Sequence, residues 1–393
     1  MCKEELKAKV EEIVPKAVEW RRHFHSSPEV SGEEVNTSKY IQEELTKLGI
    51  PFETGFFQNA VLGTIKGGKP GKTVALRADM DALPVTEQTG LPFASKHKGI
   101  MHACGHDSHM AILLGAAAVL NEMKDQLCGT VKLVFQPAEE EAAIGGGRHI
   151  ANSGKLDDVS EIYGLHVWPE LPVGVVGLKP GNLMAASDRF YVHVKGKSTH
   201  AAQPHNGTDA LVAAAHFIID VQSLISREMN PMENVVCTIG LMNAGTRYNV
   251  GVEDAYLEGT VRTYTPALRD KMEQRLGEIL QGLDVMFHTH SELNYVRGHS
   301  ATINTPEKIK FLQEIGKEYL GEEHITQPEF PSMCAEDFSS YLEKFPGAFM
   351  WLGTGKPGTP ALHNASFAID ESILPLGITM EAAAVVEALK KII

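Results

Sequence analysis

From residue 60 to residue 178 the hydrophobic period of the chain switches repeatedly between strand and helix, which leaves few architectures open to it. Residues 60–66 and 73–78 read as strands around the turn-forming Gly67-Gly68-Lys69-Pro70-Gly71. Residues 108–122 read as a helix of small side chains, and residues 131–135, 162–167 and 173–178 as further apolar strands. Such an alternation belongs to an α/β fold, a mostly parallel sheet with helices on both faces. Two helices precede it, over residues 4–25 and 33–48, the second stopped by Gly49 and Pro51. Beyond Pro180-Gly181 the pattern changes. Residues 189–195 alternate, with Phe190, Val192 and Val194 set against Tyr191, His193 and Lys195. A helix (209–227), two strands (234–242, 255–264), a helix (266–283) and a strand (285–295) follow. That β-α-β-β-α-β order is the split motif of a small two-layer α+β domain. The expected organisation is a catalytic α/β domain over residues 1–181 and 296–393, interrupted by an inserted domain over residues 182–295.

Composition narrows the partners. Hydrophobic residues make up 43% of the 393 residues and charged ones 22%, enough for a sizeable core. Thirty-six Lys and Arg face 50 Asp and Glu, a formal net charge of −14. Neither a nucleic acid nor an anionic membrane is then an expected partner, because the phosphate field of either would go unneutralised. The longest apolar stretch, residues 110–120, is well short of the ~20 residues that span a bilayer. The first twelve residues are charged throughout, unlike a signal peptide. Five cysteines, Cys2, Cys104, Cys128, Cys237 and Cys334, are odd in number and scattered, so a reduced, cytoplasmic protein is expected.

Two glycine-rich loops fail as phosphate binders. Gly353-Thr354-Gly355-Lys356-Pro357-Gly358 has prolines where a helix should begin, and Gly71-Lys72-Thr73 lacks the glycine required at position 66. The informative stretch is Met101-His102-Ala103-Cys104-Gly105-His106-Asp107-Ser108-His109. Thiolate and imidazole two residues apart across a glycine can both address one ion of the zinc type, with Asp107 as a partner to a ligand. The same cluster also admits a nucleophilic cysteine with a histidine base. Carboxylates favour the metal. Asp79 and Asp81 end one strand, and Glu139-Glu140-Glu141 follow another, where three adjacent anions repel unless a cation neutralises them. His166 ends a third strand, and His363 lies in Leu362-His363-Asn364. One cysteine, three histidines and several carboxylates match a two-metal hydrolase.

These motifs resemble the aminoacylase and amidohydrolase branch of the co-catalytic metallopeptidases, with its hippurate hydrolases, N-acetyl-amino-acid deacetylases and auxin-conjugate hydrolases. The likeness is carried by Arg77-Ala78-Asp79-Met80-Asp81-Ala82-Leu83-Pro84, Met101 to Asp107, Phe135-Gln136-Pro137-Ala138-Glu139-Glu140, Gly164-Leu165-His166, Glu336-Asp337-Phe338 and Leu362-His363-Asn364. The resemblance implies two divalent metals per subunit (zinc, manganese, cobalt or nickel), held by Cys104, His106, Glu140, His166 and His363. It implies Glu139 as the general base that activates the attacking water, and Asp81 as a residue orienting the site. Gly196-Lys197-Ser198-Thr199-His200 resembles the segment whose histidine stabilises the oxyanion in the partner subunit, which implies that the insertion is a lid and dimerisation domain and the protein a homodimer or a dimer-based oligomer. Asn249 and Arg262 resemble positions that bind the substrate carboxylate. The implied reaction is hydrolysis of N-acyl amino acids. A dipeptidase or exopeptidase with the same centre is the alternative, and a non-catalytic ligand-binding relative is a third reading that the complete set of ligands disfavours.

Overall fold

A computed structural model of the chain describes residues 3–390, and Cys2 lies outside the described residues. In chain order the helices are α1 (Lys3–Ser26), α2 (Val35–Lys47), α3 (His106–Glu122), α4 (Gly146–Ala151), α5 (Ala210–Ser223), α6 (Pro266–Phe287), α7 (Pro306–Tyr319), α8 (Ser339–Leu342) and α9 (Leu374–Ala388). The strands are β1 (Phe52–Glu53), β2 (Val61–Lys66), β3 (Lys69–Asp79), β4 (Cys128–Gln136), β5 (Val159–Pro172), β6 (Val176–Gly177) and β7 (Gly181–Met184). They continue as β8 (Ala186–Lys195), β9 (Val235–Ala244), β10 (Asp254–Thr263), β11 (His290–Arg297), β12 (Thr302–Asn304), β13 (Ile325–Thr326) and β14 (Gly347–Gly355).

Two compact units result. The first comprises the residues up to Leu183, Ile303–Phe330 and the residues from Asp337 on, and the second comprises Met184–Thr302 with Pro331–Glu336. The crossings fall at 183/184 and 302/303, where the sequence pattern has 181/182 and 295/296, and residues 331–336 cluster with the second unit.

The first unit is built on an eight-stranded sheet in the order β1-β2-β4-β3-β5-β14-β6-β13, whose central strands β4, β3, β5 and β14 run parallel. From Thr73 to Asp79 every residue of β3 is buried, as expected of a strand covered on both faces. Helix α3 has no exposed face and packs against α1 and α9. The α3–α9 approach needs glycine. A Cβ on Gly115 would lie 2.6 Å from Ile378, and one on Gly377 2.6 Å from Ile112. The parallel strands end side by side, with Asp79 in register with Gln136 and Arg77 with Gly164, so their carboxyl ends form one edge where open α/β sheets place their sites.

The second unit is an antiparallel sheet in the order β11-β8-β10-β9, with α5 and α6 packed against it. Phe190, Val192 and Val194 of β8 face those helices in alternation, and Asp188 takes the guanidinium of Arg269 on α6 at 2.9 Å.

Three local expectations change. Residues 285–287 are the last turn of α6 and not strand, because the helix continues past the buried Leu283 until His288 ends it at φ +55. His166 lies inside β5 and does not end it, since that strand continues to Pro172. Among the described residues one helical run, Ala210–Glu228, is long and apolar enough to cross a membrane, longer than the stretch 110–120. Its Ala213, Ala214, Phe217 and Val221 are buried in the core of the second unit.

Candidate metal centre

Cys104 and His106 flank Gly105, which sits at φ +84, and a Cβ there would lie 2.5 Å from Val167. Only glycine fits that turn, which lies against Val167 and brings Cys104 beside His166 of β5. The loop is part of the core, with every residue from Met101 to His109 buried. Cys104 Sγ lies 3.4 Å from His166 Nε2. Cys104, His106 and His166 bring one ligand atom each within 4.8 Å of one another, and so do Cys104, Glu140 and His363. His106, Glu139 and Glu140 form a third such group, and Asp79, His106 and His109 a fourth. Cys104 and His106 thus each belong to more than one triad.

The donor set converges without being satisfied. His106 Nε2 and Glu140 Oε1 are buried with no hydrogen-bond partner and lie 4.0 Å apart, while His363 Nε2 is 3.2 Å from the same oxygen. Orphaned donors and acceptors of this kind are expensive unless something between them completes their coordination. Thiol, imidazole and carboxylate together form the donor chemistry of a divalent transition metal. The residues therefore fit the group that the sequence motifs imply.

Charge points the same way. Burial, then the Glu140 and Glu139 carboxylates, push the Cys104 thiol well above its usual range. Burial would lower His106, yet the Asp79 and Asp81 carboxylates raise it to about 10. Both groups hold protons that a cation would displace. His166 is held well below its usual value by burial and by His109, so it is a neutral imidazole.

The carboxylates behind the centre fix its parts. Asp81 Oδ2 accepts the Ser31 hydroxyl at 2.6 Å and the Glu140 N–H at 2.9 Å, and its other oxygen lies 3.3 Å from His106 Nδ1. Burial would raise this carboxyl, but the His106 hydrogen bond and charge leave it below its usual range. Glu139 is buried, and its Oε1 accepts the Asp337 N–H at 3.3 Å. The Asp337 carboxylate in turn takes Arg77 Nη2 and Gln136 Nε2 at 2.7 Å. His363 stands at φ +64 and donates its N–H to Ala103 O at 2.8 Å, which ties the last loop to the cysteine loop.

Asp107 does not support a ligand. It turns away to Arg21 Nε at 2.9 Å and His25 Nδ1 at 2.8 Å, anchoring the loop to α1. The residues that do stand behind the ligands are Asp79 and His109, whose Oδ1 and Nδ1 are 2.6 Å apart, with His109 Nε2 accepting the Val167 N–H at 3.0 Å. The sequence signal for them is present in the motifs at 77–81 and 101–109, but spacing alone does not pair them.

In the second unit His200 bridges to Val250, and the Ala201 N–H donates to Asn249 O at 3.1 Å, so His200 and Asn249 are neighbours. A cavity of about 490 Å3 lies beside them, lined by Lys197, Thr199, Arg247, Tyr248 and Val250 among others. Asn249 Oδ1 and Arg262 Nη1 are buried with no hydrogen-bond partner. Arg262 is not near that end. It stands opposite Val236 and Ser187, seven residues along β10 from Ala255, which pairs with the last residue of β9 before the Asn249 loop. At ~3.3 Å per residue that is about 23 Å, so one chain cannot bring both to a single carboxylate.

Comparison with known proteins supplies the family. A family profile described as Peptidase family M20/M25/M40 matches residues 75–387. The N-acetyl-L-cysteine deacetylase of Bacillus subtilis is 41% identical over 354 residues, 90% of this chain and 83% of that protein. Thermostable carboxypeptidase 1 of Saccharolobus solfataricus is 37% identical over 384 residues, 96% of this chain and 97% of that one. Among solved structures, the YXEP protein of Bacillus subtilis, described as a dinuclear metal binding peptidase, superposes with a TM-score of 0.85 at 36% identity, covering 96% of this chain and 99% of that chain.

Proposed function

We propose, since the chain belongs to peptidase family M20/M25/M40, that it is a metal-dependent amidohydrolase which cleaves the amide bond of N-acyl amino acids and releases a carboxylic acid and a free amino acid. The observation that carries this reading is the set of overlapping donor triads, Cys104 with His106 and His166, Cys104 with Glu140 and His363, and His106 with Glu139 and Glu140. Those five residues would hold two divalent ions per subunit, with zinc, manganese, cobalt and nickel all suited to the donor set. When bound, the ions supply Lewis-acid polarisation of the amide carbonyl and an attacking water acidic enough to lose its proton near neutral pH. Glu139 takes that proton on its carboxylate and returns it to the leaving amine nitrogen, after which the amine departs neutral. Asp81 keeps the His106 ring and the Glu140 peptide in place while this happens.

The inserted domain serves as lid and dimerisation domain. His200, arriving from the partner of a homodimer, donates to the developing oxyanion, and Asn249 and Arg262 take the substrate carboxylate from different subunits. The four described cysteines are free thiols, which suits the reducing cytoplasm as the place of action.

The test is turnover. Protein reconstituted separately with each of the four metals is offered N-acetyl, N-benzoyl and indole-acetyl amino acids, and free amine is measured. Release of amino acid is expected, and Glu139→Gln should reduce kcat by ~10²–10⁴-fold with its metal content unchanged. The carboxypeptidase relative favours a second reading, an exopeptidase with the same centre. Hydrolysis confined to dipeptides with a free α-amine would decide for it.

A further inference from the structure

The loop that leaves β4 carries Glu139 and Glu140, and it is gripped from behind by a residue that the reaction above does not use. Ala138, just ahead of them, has φ +55. A left-handed backbone strains a residue that carries a Cβ and persists only where its surroundings enforce it. The enforcing group is Glu34. Its Oε1 accepts the Ala138 N–H at 2.8 Å and the Gly32 N–H at 2.9 Å, and its Oε2 accepts Asn59 Nδ2 at 3.2 Å. Glu34 is completely buried at the start of α2, and it lies upstream of the residues that the family profile matches.

Two residues further on, Asp81 accepts the Glu140 N–H. Two buried carboxylates therefore hold the peptides at 138 and 140, and Glu139 projects from between two fixed points with its Oε1 on the Asp337 N–H. Burying a carboxyl group is expensive unless its oxygens are used, and both oxygens of Glu34 are: Oε1 on the Ala138 and Gly32 N–H groups and Oε2 on Asn59.

We propose that Glu34 is a positioning residue for the general base: by holding Ala138 in the left-handed conformation it aims the Glu139 carboxyl. The role of Glu139 as base rests on the amidohydrolase reading, whereas the hold on Ala138 does not.

Four variants test it. Glu34→Gln keeps an acceptor oxygen and should stay within threefold of wild type. Glu34→Asp draws the acceptor back by one methylene, and Glu34→Ala removes it. Both should lose about 10²-fold in kcat with KM nearly unchanged, the penalty expected for a catalytic group displaced by ~1 Å. Glycine reaches positive φ without strain. Ala138→Gly placed in the Glu34→Ala background should therefore restore at least tenfold of the lost kcat, a rescue that a merely stabilising Glu34 would not show. A kcat within twofold of wild type in both Glu34→Asp and Glu34→Ala overturns the proposal, as does a loss confined to KM or to Tm. If Glu34→Ala fails to fold, Glu34→Asp decides. A crystal structure of Glu34→Asp gives an answer independent of turnover. Ala138 leaving positive φ, or Glu139 leaving the Asp337 N–H, supports the proposal, and an unchanged loop refutes it. A wild-type enzyme that hydrolyses no N-acyl amino acid overturns the reaction reading, and the crystallographic result then decides the positioning by itself.

Discussion

At the scale of single residues, the centre combines an excess of buried negative charge with two groups that cling to protons. Cys104 is raised by burial and by Glu140 and Glu139, and His106 stands near 10 against the pull of burial because of Asp79 and Asp81. A metal must displace a proton from each of them, so its affinity should rise with pH across the interval from 6 to 9. The sign follows from the direction of the shifts, since both groups are protonated in the free protein below these raised values and neither can ligate in that form. Calorimetry of metal binding in buffers of different ionisation enthalpy measures the protons released, and a value near zero would remove Cys104 and His106 from the ligand set. Cys104→Ala should lower the bound-metal stoichiometry. It should also destabilise the fold, because the loop is buried.

Secondary elements show where a sequence speaks and where it is mute. Between α1 and α2, Trp20 Nε1 donates to Glu44 Oε2 at 2.9 Å inside the core. Burial would raise the Glu44 carboxyl, but hydrogen bonds from Lys47 and Trp20 leave it below its usual value. Glu44→Ala leaves the indole N–H buried without a partner and should reduce stability by ~1–3 kcal/mol, read by urea unfolding with tryptophan emission. A depressed carboxylate stabilises the fold above its unfolded value of ~4.3 and loses that contribution as pH falls through the folded one. The gap between wild type and Glu44→Gln should accordingly shrink below pH ~4. A gap that stays constant to pH 3 would remove the ionised carboxylate from the account. Helix and strand periods were legible wherever one face is buried, as in β8 with Phe190, Val192 and Val194 inward. They were illegible at Val285-Met286-Phe287, where strand-forming side chains lie on the outer turn of a helix whose buried stripe runs through Leu276, Leu280 and Leu283. The partnership of Asp79 with His109 was illegible for another reason. Thirty residues separate them, and only the register of β3 beside α3 brings them to 2.6 Å.

For the whole molecule, the sequence motifs fall into two compact units, with the metal-type residues in the first and His200, Asn249 and Arg262 in the second. Motifs single out residues but do not say which of them can act together, because distance in space is set by register. Arg262 and Asn249 are separated by the length of β10 within one chain, and a single bound carboxylate cannot span that gap. The homodimer proposed above accounts for this through a proposed shared site, with one of the two coming from each subunit and His200 crossing with its neighbour Asn249. Mixing tests this. His200→Ala and Glu139→Gln are each expected to be nearly inactive, the first through loss of an oxyanion donor worth ~10²–10³ in kcat. After subunit exchange, half of the dimers are mixed if assortment is random. In each mixed dimer a site shared between chains unites an intact Glu139 from one subunit with an intact His200 from the other. Activity should then return to roughly a quarter of the wild-type value per site. Were His200 to serve its own chain, every site in the mixture would still lack one of the two groups and the sample would stay inactive. Exchange demonstrated by native mass spectrometry without any recovery of turnover would exclude the shared site.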